Sequence, residues 1–197
     1  INFTIFFLSL IFFYKSLFLI TNNKLLSFIG FLILLLTPRI FANSFYNTID
    51  IYFFSIVIFL NYFTIKIFYN WSVKNLILVS LFTALVIDHR IAGIYFLILN
   101  LFFFIFVLKK NFNNKKLFLH ISFYLIASLF FVYIFWPYLW PDPLNNFVAA
   151  FLEMSRWNYK VYSLLNGTEY ISDNLPWFYT FYWITITTPT IYLFFFF

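Results

Sequence analysis

The chain contains no cysteine. That absence removes disulfides, thiolate metal sites and cysteine nucleophiles together. Histidine occurs only twice in 197 residues, and wide spacing makes a histidine-built zinc centre improbable. Charge is equally scarce: six acids and twelve Lys or Arg make up 9% of the chain, against about a quarter in soluble domains. The sequence holds no phosphate-cradling Gly-rich loop, no nucleophile elbow and no metal-binding helix motif. It also lacks the basic region, short apolar core and small-residue cleavage site of a signal peptide.

What fills the chain instead is apolar: 64% of residues are hydrophobic and 28% aromatic. A water-soluble fold could not hide that much apolar side chain. The 35 Phe, with abundant Ile, Asn, Lys and Tyr, reflect compositional bias as much as physical demand, so Phe carries no functional weight. A net charge of +6 would fit nucleic acid, but the basic loops lie beside apolar runs and membrane topology accounts for them, so no nucleic-acid partner is expected. The chain opens on Ile1 and stops within the apolar run Phe194 to Phe197. It therefore reads as one transmembrane domain, 1–197, truncated at both ends.

Apolar stretches between charges predict seven spans, at 2–14, 25–38, 51–65, 75–87, 91–108, 117–136 and 179–197. Several fall short of the roughly 20 residues that cross a hydrocarbon core of about 30 Å. Either these borrow neighbouring residues, or their ends stop below the membrane surface. The expected fold is an all-α polytopic membrane protein of about seven transmembrane or partly spanning helices, with a further helix on its outer surface.

Orientation follows from the charges, because Lys and Arg beside spans stay on the cytoplasmic side. One set of loops holds Lys15, Lys24, Lys66, Lys74, Lys109, Lys110, Lys115 and Lys116 without an acid. The other holds Asp50, Asp88, Asp142, Glu153, Glu169 and Asp173, with Arg39, Arg90, Arg156 and Lys160. Seven alternating spans reproduce this partition, so the acid-bearing side is read as extracytoplasmic in a cytoplasmic membrane. The last outer loop, 137–178, has Trp136, Trp140, Trp157, Trp177 and Trp183 in or beside it, and indoles prefer the headgroup level. Within it Asp142 and Pro143 read as N-cap and first helical residue. Phe147, Val148, Phe151 and Leu152 then line one face, as in a helix lying on the membrane surface, while Asn146, Glu153, Arg156 and Lys160 lie mostly elsewhere. A plain connector would also satisfy the pattern.

Three outer clusters bear chemistry. In the run from Pro38 to Asp50, read as a polar turn, Arg39 and Asp50 sit at the two mouths of one hairpin and could pair, with Asn43 and Tyr46 between them. Ionisable residues near membrane depth are costly and normally face a polar cavity or a partner. Asp88, His89 and Arg90 interrupt an apolar stretch and precede Gly93, which permits close approach to the backbone. This fits a recessed anion site with Arg90 as a forked phosphate ligand, although a tight interhelical turn accounts for it equally. Trp136-Pro137-Tyr138-Leu139-Trp140 could stack on a sugar or lipid headgroup, or anchor the interface. Asn166-Gly167-Thr168 matches a glycosylation acceptor.

Taken in order, Pro38-Arg39-Ile40-Phe41-Ala42-Asn43-Ser44-Phe45-Tyr46-Asn47 with Asp50, the broken span at Arg90, the Trp136-Pro137-Tyr138-Leu139-Trp140 exit, Leu175-Pro176-Trp177 and Ile184-Thr185-Ile186-Thr187-Thr188-Pro189 resemble bacterial membrane glycosyltransferases of GT-C type. The resemblance is to the dolichyl-phosphate-mannose protein mannosyltransferase and aminoarabinose transferase branch. It implies an inverting transferase that moves a sugar from a polyprenyl-phosphate carrier to a lipid, protein or glycan acceptor on the outer face. By that resemblance Asp50 is a supporting acid, with the principal base expected upstream. Arg39 and Arg90 would hold the donor phosphate, and Asn43, Tyr46, Asp88, His89 and Trp140 would line the site. No cofactor is identifiable, and a divalent-metal requirement stays open. The competing class is a transporter or lipid flippase, whose inverted repeats are not evident.

Overall fold

The computed structural model describes residues 1–108, 113–155, 160–190 and 192. The chain divides into two compact units, Ile1–Leu152 and Glu153–Phe197. Most of it is helical. In the first unit the helices are α1 (Asn2–Thr21), α2 (Lys24–Leu35), α3 (Pro38–Tyr46), α4 (Thr48–Tyr69), α5 (Val73–His89), α6 (Ile94–Leu108), α7 (Asn114–Phe135) and the start of α8 (Pro143–Ser155).

Helix starts follow local chemistry. The side chains of Asn23, Asn47, Ser72 and Asn113 accept backbone N–H bonds from Leu26, Asp50, Asn75 and Lys116, capping α2, α4, α5 and α7. Asp142 does the same for α8 by accepting from the Asn145 N–H, with Pro143 first in the helix. Asn22 ends α1 in the left-handed conformation that Asn tolerates. The Asn22–Asn23 pair thus closes one helix and opens the next.

Among the described residues three helices, α1, α4 and α7, are long and apolar enough to cross a membrane, and α2 with α3 makes a fourth if that bent pair is one span. At 1.5 Å per residue the 20 residues of α1 reach about 30 Å. The expected short spans at 2–14 and 51–65 do borrow neighbours, since α1 runs past Lys15 and α4 past Lys66. Lys15 stays exposed, with its ammonium 5.1 Å from the Phe12 ring centroid. By contrast α2 stops at Leu35, and the chain turns by 61° into α3. The stretch read as a polar turn is therefore largely helical. Pro38 at its first turn suits a helix start, where the missing N–H costs nothing.

Packing fixes the helices' directions. Phe6 and Leu10 cluster with Ile51, and Phe12 meets Phe59 and Tyr62, so α1 and α4 run parallel. Trp71, just ahead of α5, meets His120, while Ala84 and Ile87 cluster with Val132, so α5 and α7 are parallel too. Between α4 and α5 the connection is short and the helices run opposite ways. This brings Lys24, Lys66, Lys74, Lys115 and Lys116 toward one end of the unit and Arg39, Asp50, Asp88 and Arg90 toward the other. Lys109 and Lys110 lie outside the described residues. The main core joins Ile56, Leu60, Ile67, Leu76, Val79, Val86, Phe104 and Tyr124 from α4, α5, α6 and α7. Many large apolar side chains on the flanks stay exposed, among them Leu99, Phe106, Ile126 and Phe130. A surface of that kind is solvated by lipid, and the chain is a membrane-associated helical protein.

The polar groups that link helices inside this core are neutral. The Thr64 hydroxyl donates to Asn100 Oδ1 at 3.0 Å, linking α4 to α6. Thr83 and the Tyr124 hydroxyl lie 3.0 Å apart, linking α5 to α7. Ser9 and Ser55, both fully buried, bond carbonyls of their own helices.

The second unit departs from the all-α expectation. Strands β1 (Tyr162–Leu165) and β2 (Thr168–Ile171) pair antiparallel, with Leu165 opposite Thr168. Asn166 and Gly167 form the two-residue turn at φ 51° and 82°. Positive φ at both central residues is the hairpin turn that Asn-Gly favours. The Tyr182 hydroxyl donates to Asn166 Oδ1 at 2.6 Å, tying the turn to α9 (Tyr179–Thr187). Arg156, Trp157 and most of the run after Thr190 lie outside the described residues, so the expected span 179–197 is seen only as α9.

Candidate functional site

Asp50 lies in the first turn of α4, where a negative charge meets the positive end of the helix dipole. Asn47 and Asp50 form a reciprocal cap: Asn47 Oδ1 accepts the Asp50 N–H at 2.9 Å, and Asn47 Nδ2 donates to Asp50 Oδ2 at 2.9 Å. The other carboxylate oxygen, Oδ1, accepts from Arg90 in a salt bridge. Their side chains are 59% and 42% exposed, so the pair sits where water or headgroups reach it.

Arg90 arrives from the end of α5. Its extended backbone (φ −146°, ψ 127°) leaves the helix, while its N–H still donates to the Val86 carbonyl at 3.1 Å. Its carbonyl accepts from the Gly93 N–H at 2.7 Å, closing a short 3₁₀ turn, Ile91–Gly93. That turn lies so close to α5 that a Cβ on Gly93 would come within 2.5 Å of the Val86 carbonyl oxygen. Glycine is demanded here by the chain's own backbone. The neighbouring His89 donates from Nε2 to the Ile49 carbonyl at 2.8 Å, since a carbonyl can only accept. The His89 ring also packs beside Tyr52 and Phe53, and the Arg90 guanidinium lies 5.6 Å from the Phe53 ring centroid. His89, the last residue of α5, and Arg90, its C-cap, therefore grip the first turns of α4.

Beside this grip is a pocket of ≈ 450 Å³. Arg39, Asn43 and Asp50 supply its polar part, and Ile40, Ile51, Phe53, Phe54, Val57 and Phe96 its apolar part. Such a pairing of one polar end with an apolar floor suits an amphiphile. Among the described residues Arg39 makes no ion pair, while Arg90 is committed to Asp50.

The expected Arg39–Asp50 pair across the hairpin is thus replaced by Arg90–Asp50. The reason is tertiary: antiparallel packing sets the end of α5 against the start of α4. Of the expected site residues the pocket gathers Arg39, Asn43 and Asp50, and Arg90 and His89 adjoin it through α4. Asp88 is half-buried in the last turn of α5 and does not line the pocket. Tyr46 is 72% exposed and does not line it either. Trp140 stands apart, its indole N–H donating to the Tyr133 carbonyl at 2.8 Å. Sequence reasoning missed Asn47, although Asn-x-x-Asp ahead of an apolar run resembles a capping signal. It also missed the apolar lining, because Phe53, Phe54 and Phe96 carry no mark in so Phe-rich a chain. Among the described residues no group of three or more His, Asp or Glu side chains is arranged to hold a metal ion.

No protein-family model, curated protein or solved structure matches the chain. The resemblance to GT-C transferases therefore rests on its quoted motifs alone.

Proposed function

We propose that the chain belongs to a GT-C-type membrane glycosyltransferase that moves a sugar from a polyprenyl-phosphate carrier to an acceptor at the extracytoplasmic face of the cytoplasmic membrane. The observation that carries the reading is the pocket in which an uncommitted arginine, Arg39, stands at the polar end of an apolar floor. A lipid-linked phosphate presents that same division between an anion and a hydrocarbon tail. In the reaction the acceptor hydroxyl oxygen attacks the anomeric carbon, the bond from that carbon to the phosphate oxygen breaks, and the phosphate leaves with the electron pair. Arg39 stabilises the charge that gathers on the departing phosphate. The hydroxyl proton passes to a carboxylate within hydrogen-bond reach. Asp50, with Asn47 on one oxygen and Arg90 on the other, is a supporting group and is not assigned as that base.

On this reading the chain makes about seven crossings, with the shorter helices α5 and α6 completing spans below the surface, and α8 lies in the outer interface. Phe147 of α8 faces inward against Trp136, while Val148 and Phe151 are exposed and would meet lipid. Lysine-bearing connections face the cytoplasm.

The test is transfer of label from a panel of radiolabelled polyprenyl-phosphate sugars in membranes holding the full-length protein. Label lost from lipid and gained by acceptor supports the reading. Transport of an unmodified solute with no donor consumed would support a transporter or flippase instead. Single cysteines replacing Asn113 and Asn166 of this cysteine-free chain should label from opposite sides, and labelling of both by an impermeant reagent in intact cells would overturn the orientation.

A further inference from the structure

We infer that Arg90 serves as a counter-ion that keeps Asp50 from neutralising Arg39, and so leaves the pocket's arginine free to receive an anion. The inference rests on the anion-pocket reading above, and it gives Arg90 a different part from the phosphate ligand expected from resemblance. Arg39 and Asp50 line one pocket, yet the ion pair formed there is Arg90–Asp50. Arg90 itself is not among the lining residues. An acid and an arginine sharing a pocket would normally pair, because each favours the charged form of the other. Here both Asp50 oxygens are already taken, Oδ1 by Arg90 and Oδ2 by Asn47.

The counter-ion is held from several directions. Its backbone is tied to Val86 and Gly93, its guanidinium rests against Phe53, and His89 beside it is bonded to Ile49. Asp88 lies two residues away on α5 but contributes no ion pair among the described residues. Remove the Arg90 side chain, and Asp50 keeps its place through the Asn47 cap while losing its cation. Arg39 is then the cation that shares the pocket with it, and their pairing would cancel the positive charge that an anionic headgroup requires. Arg90 is by this argument a positioning residue that acts through Asp50.

Two opposite roles predict opposite double variants. If Arg90 contacts the anion, removing Asp50 relieves some repulsion but cannot replace the lost contact, so the double variant stays about as weak as Arg90→Ala. If Arg90 acts by occupying Asp50, removing both should restore binding. The experiment measures equilibrium binding of radiolabelled dodecyl phosphate to the full-length protein in uncharged detergent. Arg90→Ala should weaken binding about tenfold, and Arg90→Ala with Asp50→Asn should return it to within about threefold of wild type. Asparagine at that position still offers an oxygen to Asn47 but no charge to Arg39. Arg90→Lys, which keeps a cation against Asp50, should bind nearly as wild type and guards against a misfolded alanine variant. A double variant as weak as Arg90→Ala would overturn the proposal.

A ligand-free arm separates this proposal from the reading beneath it. Arg39→Gln and Asp50→Asn should shift the thermal unfolding midpoint additively when Arg90 is present, and non-additively in the Arg90→Ala background. Additivity in both backgrounds would overturn the counter-ion role even if the pocket binds the anion. Absence of dodecyl phosphate binding in wild type would overturn the anion-pocket reading, with the unfolding cycle still deciding whether Arg90 sequesters Asp50.

Discussion

Two polar regions of the same helices are built on different terms. At the pocket mouth Asp50 and Arg90 are ionised partners with side chains 59% and 42% exposed. Deeper along α4 to α7, Thr64, Asn100, Thr83 and Tyr124 are all buried and all neutral. A charge in the hydrocarbon core costs several kcal/mol, which confines ionised groups to depths that water or headgroups reach. A neutral hydroxyl or amide can be satisfied by a single partner on the next helix, and such bonds fasten helices that have no hydrophobic drive to associate within lipid. The mouth is therefore available for binding, and the buried layer is occupied with holding the helices together.

Substitutions can break or sharpen that contrast. The largest effect is expected at the mouth: Arg39→Ala should reduce sugar transfer by about 10² to 10³ if it resembles loss of one oxyanion donor. Unfolding should stay near wild type, since Arg39 makes no ion pair among the described residues. Initial transfer rates and thermal melts in detergent check both halves. A variant that melted early with transfer intact would assign Arg39 to the structure and remove the contrast.

Next is Gly93→Ala, which should cost about 1–3 kcal/mol of stability, as overpacking does. The added Cβ would lie 2.5 Å from the Val86 carbonyl oxygen and 2.7 Å from the Ile87 nitrogen, and backbone atoms cannot swing aside. Because Arg90 belongs to the same turn, ligand binding should fall with stability. Denaturant unfolding alongside dodecyl phosphate binding would show the loss of both. Lost stability with undiminished binding would mean that the turn does not set the mouth.

Asn47→Ala removes the cap of α4 and one partner of Asp50, for about 1 kcal/mol. Asn47→Ser should recover most of that stability by restoring an acceptor for the Asp50 N–H, but not the bond to Asp50 Oδ2. Unfolding midpoints of the two variants provide the comparison. The smallest effect belongs to the buried layer: Tyr124→Phe should lower stability by about 0.6 kcal/mol. Transfer should not change, because Tyr124 is buried away from the pocket. Thr83→Val combined with Tyr124→Phe should then cost less than the sum of the two single changes, because they share one bond.

Much of the local structure was readable in advance, and the misreadings have local causes. Asp142 and Pro143 mark the start of α8 in the sequence as they do in the structure, because a cap and a first-turn proline act within three residues. Lys15 reads as a boundary although α1 continues to Thr21, since a long lysine can carry its charge along the helix to a polar edge. Pro38 reads as a turn residue, yet the same residue suits the first turn of α3. Asn166-Gly167, part of the glycosylation-acceptor pattern, is also a strong two-residue hairpin signal and does form that turn.

Composition and the distribution of charge by themselves determined that this is a helical membrane-associated protein, and that within its first unit Lys24, Lys66 and Lys74 lie toward one end and Asp50 and Asp88 toward the other. Those properties depend on how many apolar residues stand between polar ones, which one chain states directly. The tertiary structure alone decided which cation meets Asp50. Arg39 is nearer in sequence, yet Arg90, separated from Asp50 by 40 residues, makes the bond because α5 ends beside the first turn of α4. It also decided that Phe53, Phe54 and Phe96, among 35 Phe, border a polar end and so become the wall of a pocket. Partner choice and pocket lining depend on how helices lie against one another, and that is set by packing summed over whole helix faces, which no short stretch of sequence contains.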